Sequence, residues 1–399
     1  PAKLIVNKIV INDNGGTLAV ADFSLFIDNT SVVSGATNTV LPGSHIVSEE
    51  KQQGYAATFS GDCDANGNVN VSLGDIKVCT ITNDDIAPTL NVTKIVVNNN
   101  GGTLQVEDFP LFINGTQVIS GNKTTLDAGF YVVSETNQPG YAISFSGDCS
   151  ANGNVTLFPG QNKTCIITND DISPKITVTK IIINDNGGGM DIEDFPLYID
   201  DRRVMSGVQV AELIAGNHIV SERGQEGYKS NITGDCGPEG AITVALAEEK
   251  ECIITNDDIA PKLTVTKLVI NENGGTLQVS DFPLFINQTS VVSGTQNILN
   301  VGFFNVNEIN QPGYAATITG ACDANGNINL NPGEVKECTI TNDDIPPKLT
   351  VTKVVVNDDG GALQVSNFPL FINQTSVVSG VQNILNVGFF NVNEINQPG

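Results

Sequence analysis

Tryptophan is absent from the 399 residues, histidine and methionine occur twice each, and aromatic side chains make up only 6%. Two histidines leave little material for an imidazole-based metal centre or a triad-type active site. Cations are also scarce: 19 Lys and Arg stand against 44 Asp and Glu, a net charge of −25. Such a surface repels phosphate backbones and anionic headgroups, which argues against nucleic-acid partners and membrane-surface binding and is explained by solubility alone. No window approaches the roughly 20 apolar residues of a membrane span, so no membrane insertion is expected of this segment. No signal peptide precedes Pro1, so secretion is expected to use a segment removed or outside this sequence. What is plentiful is glycine (40 residues), with Val, Ile, Thr and Asn, the material of short strands and tight turns.

Eight cysteines fall into four pairs, each separated by sixteen positions: Cys63 and Cys79, Cys149 and Cys165, Cys236 and Cys252, Cys322 and Cys338. An even set at fixed spacing predicts disulfides and an oxidising, extracellular compartment. Zinc is the weaker reading, because no pair has CxxC spacing. A loop of this length is worth roughly 3 kcal/mol in the chain-entropy picture.

The spacing reflects an internal repeat. "LNVTKIVVNNNGGTLQVEDFPLFING" at 90–115 returns as "LTVTKLVINENGGTLQVSDFPLFINQ" at 263–288, and Lys8, Lys94, Lys180, Lys267 and Lys353 mark one point at intervals of 86, 86, 87 and 86. A period this long is a domain rather than a solenoid repeat. We expect β-sandwich repeats over 1–86, 87–172, 173–259 and 260–345, with an incomplete fifth over 346–399 that belongs to a longer protein. Between copies stands "NDDIAP", "NDDISP" or "NDDIPP", always eleven residues from its Asn to the next Lys. A proline-bearing joint of constant length and no glycine predicts stiffness, hence a rod.

Each copy reads as all strand. In the second, strands are expected at 90–98, 104–114, 116–120, 123–127, 129–136, 141–149, 153–158 and 163–169, and no window holds a helical period. Strand alternation then places three polar residues on apolar faces. In "GFFNVNE" Glu308 continues the row of Phe304 and Val306; in "LTVTK" Lys267 follows Leu263 and Val265; in "CIITN" Asn169 follows Cys165 and Ile167. Burying Lys, Glu and Asn costs several kcal/mol unless they satisfy one another. One reading is a buried ion pair with an amide partner. The other is chemical: desolvation lowers a lysine pKa and raises a glutamate pKa, so that a neutral amine can attack the asparagine carbonyl while the acid moves protons.

"GFYVVSETNQPGY" at 129–141 resembles the G-x-Y-x-x-x-E…P-x-G-Y signature of collagen-adhesin B-type (Cna B) and SpaA-like domains of microbial surface proteins and pilins. The resemblance implies an all-β tandem array of prealbumin-like (Ig-like) sandwiches, and many such domains hold a Lys–Asn isopeptide with a catalytic acid. By resemblance the lysines are Lys8, Lys94, Lys180 and Lys267, the acids Glu49, Glu135, Glu222 and Glu308, and the asparagines Asn83, Asn169, Asn256 and Asn342. Lys353 and Glu394 recur in the fifth copy, without an Asn. The paired cysteines depart from the usual crosslinked relative, and an uncrosslinked cluster remains the other reading.

His45 and His218 occupy the site of Tyr131, Phe304 and Phe390 and are read as packing residues; no substrate-directed active site is expected, and the chain is not read as an enzyme. No cofactor is called for; calcium at a joint, held by Asp13, Asp84 and Asp85, competes with plain Asx turns. Ten N-x-S/T sequons, at Asn29, Asn70, Asn91, Asn114, Asn122, Asn154, Asn162, Asn231, Asn287 and Asn373, permit glycosylation. Two functions compete. One is an extracellular stalk or filament that self-associates into fibres or bundles. The other is an adhesin whose repeats bind a surface or matrix ligand. Loops rich in Asn, Gly and Asp favour the stalk; only "IDDRRVMSG" at 199–207 departs from them.

Overall fold

The computed structural model describes residues 1–398. Eight strands make up the first copy: β1 (Ala2–Ile11), β2 (Leu25–Ile27), β3 (Thr30–Val32), β4 (Thr37–Val40), β5 (Gly43–Glu49), β6 (Tyr55–Gly61), β7 (Asn68–Val71) and β8 (Ile76–Asp85). They form two four-stranded sheets, in orders β4-β1-β8-β6 and β3-β2-β5-β7. β1 and β8, the first and last strands, run parallel side by side, with Lys8 opposite Ile81 and Val10 opposite Asn83. All other pairings in this copy are antiparallel. The inward rows alternate as β-strands require: Leu4, Val6 and Lys8 on β1, and Cys79, Ile81, Asn83 and Asp85 on β8, are buried. With Leu25, Ile27, Val47, Val69 and Val71 the apolar members of these rows form the core between the sheets.

The same pair of sheets recurs three times, and the remaining strands form a two-stranded sheet (Lys348–Thr350 with Gln382–Ile384) and a three-stranded one (Thr375–Val377, Leu370–Ile372, Val392–Glu394). By contact the chain groups into two compact units. Pro1–Thr177, Gln209–His218 and Ala241–Glu251 make one, and the remainder makes the other. The first unit holds the first two sheet pairs complete, and the second unit holds the fourth pair and the last two sheets.

Three expectations need correction. The stretch 104–114 is not one strand: an irregular run leads to a 3-10 turn at Val106–Asp108, and only Leu111–Ile113 joins a sheet. The strand containing Asn169 continues through Asp171, so Asp170 and Asp171 belong to it and the joint is Ile172–Pro174 alone. Alternation in "YAISFSGDC" predicts Tyr141, Ile143 and Phe145 on one inward row, but Ile143 is exposed on a strand at the sheet edge. The four disulfides are present, bridging Cα atoms 5.1–5.4 Å apart. Each ties the last strand to the segment that follows its antiparallel neighbour; Cys165 lies opposite Gly147, two residues before Cys149.

Candidate crosslinking site

Each of the first four sheet pairs brings one lysine, one glutamate and one asparagine together. The Lys8 side chain is 0% exposed, and its Nζ lies 2.9 Å from Glu49 Oε2 while donating to Asn83 Oδ1. Lys94, Lys180 and Lys267 repeat this with Glu135 (3.0 Å), Glu222 (2.7 Å) and Glu308 (2.7 Å), and with Asn169, Asn256 and Asn342. Lysine and asparagine sit on the adjacent parallel strands of one sheet, whereas the glutamate comes from the opposite sheet. Lys353 still meets Glu394 at 2.6 Å, but their side chains are 19% and 30% exposed and no asparagine is present.

An aromatic ring lies against each amine. Nζ of Lys8, Lys94, Lys180 and Lys267 lies 4.2–4.6 Å from the ring centroids of Phe23, Phe109, Phe195 and Phe282. Each ring in turn packs edge-on against Tyr55, Tyr141, Tyr228 or Tyr314. Burial holds all four amines below the ordinary lysine range, against the opposing pull of the neighbouring carboxylate. Apart from the amine, neither oxygen of Glu49, Glu135, Glu222 or Glu308 has a hydrogen-bond partner, and Asn256 Nδ2 has none. A carboxyl with free lone pairs, an amine disposed to lose its proton and an amide carbonyl in contact with that amine are the components of an acyl transfer.

Several supporting residues escaped the sequence reading. The backbone N–H of each lysine donates to a serine 26 positions on: Ser34, Ser120, Ser206 and Ser293. The aspartate two residues beyond each asparagine is buried and grips the loop after the first strand. Asp85 accepts from the backbone N–H of Asn14 (3.0 Å) and Gly16 (2.6 Å), and Asp171, Asp258 and Asp344 do the same. For Asp171 burial pushes the carboxyl up, but the N–H groups of Gly102, Asn100 and Asn99 together outweigh it and hold it below the usual range. The signature tyrosine closes this loop. The Tyr141 hydroxyl donates to Asn98 Oδ1 at 2.6 Å and accepts from Leu104 N–H at 3.2 Å. A Cβ on Gly102 would collide with that hydroxyl, which is why the second glycine of "NGG" carries no side chain.

The other predicted sites are placed as follows. Carboxylate oxygens of Asp13, Asp84 and Asp85 lie within 4.8 Å of one another, as do those of Asp185, Asp257 and Asp258. Crowding pushes the Asp13 carboxyl up, through desolvation and then Asp84 and Asp85. Asp64 in "DANGN" is taken by the N–H groups of Asn66 and Asn68, an Asx turn. His45 is more than packing: Nδ1 lies 2.5 Å from Asp28 and Nε2 2.7 Å from the Leu41 carbonyl, and Tyr131 makes the equivalent bond to the Asp127 carbonyl. The hairpin sequons Asn29, Asn114, Asn287 and Asn373 are exposed at left-handed turn positions, whereas Asn91 is half-buried. No described helix is long and apolar enough to cross a membrane.

Paired four-stranded sheets with parallel outer-chain strands and a buried Lys–Glu–Asn set between them define tandem prealbumin-like β-sandwich domains. Residues 1–81, 85–167 and 258–340 match the SpaA-type prealbumin-like fold domain, and the chain belongs to that family. No curated protein is a significant sequence match. Among solved structures the chain is similar to the TIE protein of Bacillus anthracis, at 14% identity over 84% of this chain and 73% of that one with a TM-score of 0.40. It is also similar to two B repeat units of the collagen binding protein of Staphylococcus aureus (13% identity, 86% and 100% covered, TM-score 0.20) and to the major pilin T-13 of Streptococcus pyogenes (14%, 43% and 97%, 0.19).

Proposed function

We propose that the chain is an extracellular structural protein, a stalk or filament of five tandem repeats with joints near residues 86, 172, 259 and 345, in which each Lys–Asn pair becomes an isopeptide bond. The observation that carries this reading is the burial of every such amine between an amide oxygen and a carboxylate. In the reaction Lys94 passes a proton to the Glu135 carboxylate it touches, and the neutral Nζ attacks Asn169 Cγ. The N–Cγ bond forms, the Cγ–Nδ2 bond breaks, and a proton leaving Nζ reaches Nδ2 through the carboxyl, so that ammonia departs. Glu49, Glu222 and Glu308 act likewise on Lys8 and Asn83, Lys180 and Asn256, Lys267 and Asn342. The event occurs once per copy and turns over no substrate.

The placement suits a pulled chain. The bond would join strands whose outer ends are the entry and exit of the copy, so force would run from one strand to the other and bypass the chain between Lys94 and Asn169, which are 75 positions apart. Four disulfides add a second constraint fit for an oxidising exterior. Exposed hairpin asparagines suit glycan attachment, and self-association into fibres is the partner role that follows. Protease digestion and tandem mass spectrometry test the reading: a branched peptide joining Lys94 to Asn169 is expected, and is absent from Glu135→Ala. Recovery of unmodified Lys94 and Asn169 peptides alone from the native protein would sink it.

One observation favours the adhesin reading as a second. All three arginines lie in the third copy, and Arg203 with Met205 borders a groove of about 710 Å³ lined by Phe195, Pro196 and Leu197. Loss of surface or matrix binding in Arg203→Glu, with the crosslinks intact, is what that reading expects.

A further inference from the structure

We infer that the loop after the first strand of each copy is a docking site for the following copy, closed by a backbone N–H of that copy. Ala128 N–H donates to the Asn14 carbonyl at 2.7 Å, and the same bond recurs from Ala215 to Asn100 (2.7 Å), Val301 to Asn186 (2.8 Å) and Val387 to Asn273 (2.7 Å). Each of these contacts lies inside one of the two compact units. The first glycine of the "NGG" loop serves this contact as the second serves the tyrosine. Gly15 has φ +83, and a Cβ there would fall 2.5 Å from the Ala128 carbonyl oxygen, a backbone atom that cannot move aside.

A second bond fixes the joint. The linker residue Ile86 donates to the Gly54 carbonyl of its own copy at 2.8 Å and accepts from Gly160 of the next at 2.6 Å; Ile172 and Ile259 do likewise with Ala247 and Gly333. Gly54, the glycine of the "GY" signature, lies so close to Pro159 that a Cβ would collide with its carbonyl. Two backbone bonds flanking a three-residue linker leave the second copy one way to sit on the first. The first copy differs at one point: where Ala128, Ala215, Val301 and Val387 stand, it has Pro42, which carries no N–H. Its loop nevertheless leads into β5 as the others lead into their strands, so proline is compatible with the fold of this loop. The first copy therefore offers this face without the donor, and Leu41 and Leu73 beside it are about 80% exposed.

The inference is independent of the crosslink, because joint geometry and bond formation are read by different measurements. In the full chain, spin labels on Ser31→Cys and Gln117→Cys report the distance between the first two copies. A single narrow distribution is expected in the parent and in Ala128→Ser, which keeps the N–H, and a distribution at least twofold broader in Ala128→Pro. Equal widths in all three, or equal broadening by Ser and Pro, would overturn the inference. Should Ala128→Pro unfold the second copy, amide exchange in the unaltered protein decides: Ala128 N–H is expected to exchange as slowly as the strand amide of Val133, and free exchange refutes the docking bond.

Discussion

Removing one asparagine should turn an inextensible copy into one that unravels. Asn169→Ala deletes the electrophile of the second copy but keeps the ion pair of Lys94 and Glu135, so the copy should still fold. Force then enters at Thr89 and leaves at Asp171, the ends of the first and last strands. The 82 intervals between them, less the 16 held by Cys149–Cys165, leave roughly 66 residues to extend, about 220 Å at ~3.3–3.6 Å each. With the bond in place only Thr89–Lys94 and Asn169–Asp171 carry the load, and both are already extended strand. Single-molecule pulling should therefore give no such step from the four crosslinked copies of the parent and, from Asn169→Ala, one step of about 190 Å, the freed chain less the ~30 Å that the folded parallel strands already span. Reductant should lengthen that step by the 16 residues of the disulfide loop, about 50 Å. Four long steps from the parent, or none from the variant, would refute the reasoning.

Further outcomes follow from the same geometry. Glu135→Ala should block the Lys94 bond and leave a buried ammonium without its counter-ion, costing about 3–5 kcal/mol, read as faster amide exchange across 89–171. Gly102→Ala should destabilise the second copy by about 1–3 kcal/mol because its methyl meets the Tyr141 hydroxyl; exchange at Leu104 N–H, which that hydroxyl accepts, reports it. Replacing both Cys149 and Cys165 by Ser should cost roughly 3 kcal/mol in denaturant titrations of an Asn169→Ala background. The bond to Asp28, then that to the Leu41 carbonyl, raises the His45 pKa. Its stabilisation is therefore complete below the unfolded value, about 6.5, and is lost as pH rises through the folded one. Imidazole NMR titration should show this and show Asp28→Asn lowering the midpoint.

The inward lysine, glutamate and asparagine were legible because strand alternation is local: two apolar residues preceding on the same face fix the side of Lys267 or Glu308 whatever the rest of the chain does. The disulfides were legible from constant spacing. Leu104 and Val106 misled, since they alternate like a strand yet lie in a loop whose shape is set by the Tyr141 hydroxyl and the Asp171 carboxylate, 37 and about 70 residues away. Asp171 itself looked like linker, because nothing within its own segment reveals that its partners are backbone N–H groups of that loop. The two glycines of "NGG" read as one turn signal, though one faces a tyrosine of its own copy and the other the next copy's backbone. Such roles depend on which loops meet, which no single window of sequence contains.

The crosslink is tested most directly by the intact mass of the full chain after reduction and denaturation. A mass lower than that of the sequence by four ammonia molecules, one for each pair from Lys8 and Asn83 to Lys267 and Asn342, is expected. The unaltered mass would contradict it.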